Sequence, residues 1–304
     1  MRIMLSALAI LAAGPVLAEP PRVVVDTPVT ASLVNQVMGD LGQARILLAQ
    51  GASAHHHQMR PSDARDLQDA GLLIWTGPEL TPWLDRAAAS VAGDVAQVRL
   101  LAVPGTHLRG YGAGAGDHAH DTGSESGRDS GSVDPHAWLD PANGQLWLGT
   151  VAEALAKADP ANAAVYAANA AAAATRVRDL EADLQAQLAP FRDDSIVAFH
   201  DAYGYFTDHF GLRPAIAISL GDASTPSAAR LAEIRSRIAA TGARCAFPEY
   251  GSDPRLVETA VEGTPVRIGA ELTPEGRGGA ADDDLYGRIL TSMADALTEC
   301  LSQD

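Results

Sequence analysis

Three histidine sites have the composition of a metal centre. One is a run of three histidines that begins at His55 and follows a predicted strand, His136 stands between two Asp-Pro steps, and His200 follows another predicted strand. Neutral imidazoles from three separate loops suit Zn²⁺, which takes nitrogen ligands at about 2.0 to 2.1 Å in a tetrahedral shell. Each histidine alone is more often structural, but their joint placement predicts a metal site.

The stretch from Asp134 to Pro141 fixes the direction of His136. Each proline of Asp-Pro-His-Ala-Trp-Leu-Asp-Pro locks its own φ and restricts the residue before it. The two Asp-Pro steps are therefore expected to aim the imidazole into a cleft. Trp138 is expected in the hydrophobic core.

Strands alternate with helices along the chain, which predicts an α/β fold with mainly parallel sheets flanked by helices. The predicted strands are residues 22–26, 44–49, 71–76, 95–102, 195–199, 214–218, 243–247 and 265–268. The predicted helices include residues 30–41, 61–70, 78–91, 142–157, 226–241, 253–262 and 283–301. The two halves are similar, which predicts two lobes with a cleft between them. His55 and His200 follow strands, and ligands bind at that edge of open α/β sheets.

One long helix is expected to join the lobes. An alanine-rich run extends from Asp159-Pro160 to Leu188, with Asp159 as the predicted N-cap, and it would span about 43 Å. It has no sustained leucine heptads, so we predict a rigid connector and not a coiled coil. The predicted divisions are a signal peptide at 1–18, an N-terminal lobe at 19–158 with a flexible histidine-containing loop at 105–133, a linking helix at 159–190 and a C-terminal lobe at 191–304.

The first 18 residues have the features of a cleavable signal peptide. Arg2 precedes a short apolar run, and Val-Leu-Ala at 16–18 supplies small residues at a cleavage site. Removing this segment takes Arg2 from the 22 basic residues and none of the 38 acidic ones, so the net charge becomes −17. Nucleic acid and anionic lipid are therefore poor partners, since both need a basic surface. We expect a soluble protein of the periplasm.

The chain has two cysteines, Cys245 and Cys300. In an oxidising compartment, an even pair predicts one disulfide bond.

Four motifs carry a resemblance to a known family. The chain resembles the zinc and manganese solute-binding proteins of bacterial ABC transporters, the cluster A-I family. The motifs are Gly-Ala-Ser-Ala-His at 51–55 with Pro-Ser-Asp at 61–63, Asp-Pro-His-Ala-Trp-Leu-Asp-Pro at 134–141, Phe-His-Asp-Ala-Tyr-Gly-Tyr-Phe at 199–206 and Phe-Gly-Leu at 210–212. The resemblance implies that His55, His136 and His200 are metal ligands. A register difference of two residues would make His57 the first ligand.

Two departures bear on the metal. Manganese-selective members tend to place a carboxylate at the third ligand position, whereas His200 favours zinc. The family often supplies an aspartate from a late loop, but Thr273 occupies that place here. Glu271, Glu275, one of the aspartates at 282–284, or water could complete the shell, and the sequence does not choose among them.

The loop at 105–133 matches the histidine-rich loop of the family in a short form. It contains His107, His118 and His120. Two interpretations stay open: the loop captures or hands over zinc, or it is a solvated linker whose histidines are incidental.

The resemblance implies a monomeric, non-enzymatic protein that captures Zn(II) as its transported ligand and delivers it to an ABC permease. The sequence leaves open which permease receives the ion and whether a periplasmic zinc metallochaperone loads it. The alternatives are a manganese-binding homologue, a zinc-dependent hydrolase or a metal-binding adhesin. No His-Glu-x-x-His motif supports the hydrolase.

Overall fold

The computed structural model describes residues 20–91, 95–111, 133–219 and 226–303. The proposed signal peptide, His118 and His120 lie outside these residues. No helix within the described ranges is long and apolar enough to cross a membrane.

The N-terminal lobe is a four-stranded parallel sheet flanked by helices. Its strand order is β2-β1-β3-β4. Its elements are β1 (Val23–Val25), α1 (Pro28–Met38), β2 (Arg45–Ile46), α2 (Pro61–Gln68), β3 (Leu72–Trp75), α3 (Pro82–Val91), β4 (Ala96–Arg99) and α4 (Pro141–Ala158).

The C-terminal lobe repeats this design with the strand order β6-β5-β7-β8, again all parallel. Its elements are β5 (Ile196–His200), α6 (Gly204–Phe210), β6 (Ile216–Ser219), α7 (Ala228–Thr241), β7 (Cys245–Phe247), α8 (Pro254–Val261), β8 (Arg267–Ile268) and α9 (Leu285–Leu301). Two similar parallel-sheet lobes confirm the predicted fold class.

The long helix α5 (Ala163–Leu188) joins the lobes, as predicted. It has 26 residues and a length of about 39 Å. Asp159 is the N-cap of a 3₁₀ turn at Pro160–Asn162 that leads into the helix, and Asn162 is the N-cap of α5 itself. The Asp159 carboxylate accepts hydrogen bonds from the Asn162 side chain and the Tyr166 hydroxyl. The division at 19–158, 159–190 and 191–304 stays a prediction.

The largest hydrophobic cluster among the described residues contains side chains of both lobes. Helix α5 packs on α1 and α4 of the N-terminal lobe and on α9 of the C-terminal lobe. Small buried side chains such as Ala170 and Ala173 let these helices approach closely. Two smaller clusters lie elsewhere, one of them between the N-terminal sheet and α2 and α3, the other between the C-terminal sheet and α7 and α8.

The predicted disulfide is confirmed. Cys245 on β7 and Cys300 on α9 form the bond, with 6.2 Å between their Cα atoms. It fastens the last helix to the C-terminal sheet.

Helix α3 begins later than its predicted start at residue 78. The backbone N–H groups of Leu80 and Thr81 donate to the carbonyl of Gly77 and form a separate turn there. Gly77 has φ of +152°, which places it outside helical geometry.

Candidate metal centre

Three loops and the end of one strand converge at the carboxyl edges of the two sheets. His55 follows β2, His136 precedes α4, His200 is the last residue of β5, and Glu275 follows β8. One ligating atom from each of His55, His136 and Glu275 lies within 4.8 Å of the other two. The Nε2 atoms of His136 and His200 are 3.4 Å apart. The three predicted histidines therefore lie together, with a carboxylate beside them.

One pair of ligand atoms already has the separation that a tetrahedral zinc ion requires, and the other measured pair is wider. Bonds of about 2.0 to 2.1 Å in a tetrahedron place neighbouring ligand atoms about 3.3 Å apart. The His136–His200 separation is close to this value, and the His55 Nε2 to Glu275 Oε1 distance is 4.0 Å. His55, His136 and Glu275 would have to draw together from within 4.8 Å, and His200 adjoins this group through His136.

Carboxylates orient two of the three imidazoles. Asp134 Oδ1 is 2.7 Å from His136 Nδ1, and Glu249 Oε2 is 2.5 Å from His200 Nδ1. The Tyr203 hydroxyl also donates to Glu249. With each Nδ1 facing a carboxylate, each Nε2 is available toward the centre, the arrangement by which proteins fix metal-binding histidines.

Of the fourth-ligand candidates, Glu275 is the one that joins the histidines. It is buried, whereas Glu271 and Asp282 are exposed. Asp282 instead forms an ion pair of 2.6 Å with Arg288. Thr273, at the place of the family's aspartate, lies two residues before Glu275 in the same loop.

His57, the alternative first ligand, points elsewhere. Its ring packs on Trp83 with 4.8 Å between centroids, and its Nε2 lies 3.6 Å from Asp63 Oδ2. His56 is exposed.

A sequence model described as zinc-uptake complex component A periplasmic (ZnuA) matches residues 23–300. The chain belongs to this family. It is 51% identical over 313 residues to the high-affinity zinc uptake system protein ZnuA of Paracoccus denitrificans, covering 96% of this chain and 95% of the relative. The predicted resemblance is thus confirmed.

Solved structures agree on the fold of this ZnuA-family chain. The periplasmic zinc binding protein TroA from Treponema pallidum superposes with a TM-score of 0.78 at 21% identity, covering 93% of this chain and all of TroA. The solute-binding protein FpvC from Pseudomonas aeruginosa, in complex with Mn²⁺, gives 0.77 at 23% identity and covers 93% of this chain and 98% of FpvC.

Burial changes the acidity of the groups around the centre. It raises the pKa of Asp134 to about 7, although the His136 backbone N–H and the Arg109 charge oppose the change. Burial lowers the pKa of His200, but the charge and hydrogen bond of Glu249 outweigh it, so the net pKa is raised. Glu249 therefore increases the basicity of the His200 imidazole.

Trp138 has a role that the sequence did not reveal. It is buried, as predicted, but its indole N–H also donates to the carbonyl of Pro274 at 2.8 Å. Pro274 precedes Glu275 and belongs to the other lobe. The Asp-Pro-His motif thus holds both His136 and the backbone beside Glu275.

A second histidine cluster lies apart from the centre. The Asp140 carboxylate is 2.8 Å from His107 Nδ1 and 2.8 Å from His209 Nδ1, and His209 Nε2 is 2.8 Å from Glu181 on α5. A ring with a carboxylate at each nitrogen makes both hydrogen bonds only as imidazolium. Burial lowers the pKa of His209, but these two carboxylates outweigh it and raise the pKa. The cluster therefore joins both lobes to α5.

Proposed function

We propose that the protein captures Zn²⁺ in the periplasm and delivers it to an ABC-type importer. Membership of the zinc-uptake family supports this function. The observation that carries it at the level of residues is the convergence of His55, His136 and Glu275 within 4.8 Å of one another, with His200 Nε2 3.4 Å from His136 Nε2.

The proposed ligands are His55, His136, His200 and Glu275. Two of the imidazoles have carboxylates at Nδ1, which orient the rings and strengthen them as donors. Glu275 supplies the fourth atom of a tetrahedral shell. Three nitrogen donors and one oxygen favour zinc over manganese, since Mn²⁺ prefers oxygen ligands and higher coordination.

The same geometry argues against the hydrolase. Catalytic zinc keeps an open position for water, whereas four protein ligands close the shell, as in a binding site. We therefore propose that the chain has no enzymatic activity.

The remaining elements of the proposal concern location and partners. The basic start, apolar run and small residues of 1–18 support export by a cleavable signal peptide. We propose a monomer that docks on a membrane permease, and a periplasmic metallochaperone is a candidate zinc donor.

Metal content tests the ligand set. Protein purified without added metal should contain about one zinc per chain by mass spectrometry, as expected for one closed shell. His136→Ala should lose the zinc, because it removes one of the proposed nitrogen ligands, whose Nε2 lies 3.4 Å from His200 Nε2. His57→Ala is the matched control and should retain the metal.

Retention of stoichiometric zinc by His136→Ala would remove that residue from the site. Loss of zinc from His57→Ala with retention by His55→Ala would move the first ligand to His57. A preference for Mn²⁺ when both ions compete would favour the manganese homologue instead.

A further inference from the structure

Arg277 connects the two lobes close in sequence to two of the proposed metal ligands. Its guanidinium donates from Nη2 at 3.0 Å and from Nε at 3.3 Å to the carbonyl of Gly51. Gly51 lies four residues before His55, and Arg277 lies two residues after Glu275. One side chain thus fastens the loop of one proposed ligand to the loop of another, across the cleft.

The Arg277 guanidinium packs against the ring of Tyr250 in the C-terminal lobe. It lies over the ring of Tyr250, 6.0 Å from the centroid. A Cβ added at Gly251 would lie 2.7 Å from Arg277 Nη2, and one at Gly278 would lie 2.5 Å from the Tyr250 ring. Glycine at these two positions therefore makes room for the stacked pair.

The Arg277 contact differs in solvent exposure from two neighbouring hydrogen bonds. The bond from Trp138 to Pro274 and the bond from the Tyr286 hydroxyl to Trp138 are both buried. The Arg277 bonds are exposed, so they can break without uncovering the core. Gly276 and Gly278 flank Arg277 with φ of +67° and +81°, a left-handed backbone conformation that favours glycine, in a segment outside helix and strand.

We propose that Arg277 is a latch that controls how long zinc stays bound. While Arg277 is bonded to the Gly51 carbonyl, the loops that carry Glu275 and His55 stay close together. When this bond breaks, the two loops separate, Glu275 moves away and the ion leaves. Arg277 is thus a positioning residue that acts through Glu275 and His55. The proposal rests on the proposed function.

Zinc release tests the latch. Zinc-loaded protein is mixed with excess chelator in a stopped-flow instrument, and the dissociation rate is compared between wild type and Arg277→Ala. Losing hydrogen bonds from a charged donor at an exposed site should raise this rate about three- to fivefold. The association rate should stay within about twofold, since most changes to one interface act on dissociation.

Arg288→Ala is the matched control. Arg288 is exposed, carries the same charge and holds the far end of the same loop through Asp282 and the carbonyl of Ala280. Its dissociation rate should match wild type. Arg277→Lys should be intermediate, because lysine keeps the charge but lacks the planar fork. A wild-type rate in Arg277→Ala, or an equal rise in Arg288→Ala, would overturn the proposal.

A second measurement needs no zinc. In the metal-free proteins, backbone amide exchange at residues 52–56 and 275–279 should be faster in Arg277→Ala than in wild type or Arg288→Ala. Unchanged exchange overturns the latch. If wild type bound no zinc, the proposed function would fail, while this exchange measurement would still decide whether the latch exists.

Discussion

Glu249 offers a quantitative test of how the centre is built. Its carboxylate lies 2.5 Å from His200 Nδ1, and both groups are buried, so the charge acts on the imidazole with little screening. Replacing Glu249 with Gln keeps the size and a possible acceptor but removes the charge. Changes of this kind beside a metal-binding histidine cost about 10- to 100-fold in metal affinity, or about 1.4 to 2.7 kcal/mol.

The assay is competition for zinc with a chelating dye at neutral pH and fixed salt. Glu249→Gln should weaken binding by that factor, while Tyr203→Phe, which removes a hydroxyl that donates to Glu249 at 3.0 Å, should weaken it less. Glu271→Gln removes the same charge from an exposed position and should bind within about twofold of wild type, because solvent screens its charge. Wild-type affinity in Glu249→Gln would refute the reasoning, as would equal losses in Glu249→Gln and Glu271→Gln.

Three further predictions concern stability. Replacing Cys245 and Cys300 together with Ser should lower the free energy of unfolding by about 4 kcal/mol in denaturant titrations, since the bond closes a loop with a sequence separation of 55; a loss under 1 kcal/mol would contradict this. The pKa of His209 is raised by folding, so its contribution is present below the unfolded pKa of about 6.5 and is lost as pH rises through the folded pKa. His209→Gln should therefore destabilise most near pH 5 to 6 and least near pH 9, and a constant difference between these pH values would argue against the imidazolium. Gly144→Ala should cost about 1 to 3 kcal/mol in thermal or denaturant unfolding, because its Cβ would collide with the Tyr286 hydroxyl; an unchanged stability would show that Tyr286 can move at no cost.

Much of the architecture follows from local sequence. Runs such as the valines of β1 and the apolar residues of β3 identify buried strands, and the alternation with helices identifies parallel sheets. The histidines were found because His55 and His200 follow strands and His136 stands between prolines. These signals lie within a few neighbouring residues, and parallel topology then brings the strand ends together.

The carboxylate partners were harder to predict. Glu249 follows β7, the neighbour of β5 in the sheet, so its place beside His200 depends on the strand order. Glu275 depends on a loop that is held by two distant contacts. Trp138 binds Pro274, which is 136 residues away, and Gly51 binds Arg277, which is 226 residues away. Spacing along the chain carries no information about contacts of that range.

The hydrophobic cluster that contains side chains of both lobes has a practical consequence for measuring zinc with this protein. Helix α5 packs on helices of both lobes, so moving the lobes apart would expose buried side chains such as Tyr166 and Leu188. Dyes attached to the outer ends of the two lobes would therefore give almost no change in energy transfer when metal binds. An environment-sensitive probe at Gly279, beside the Arg277 segment, should give a far larger signal.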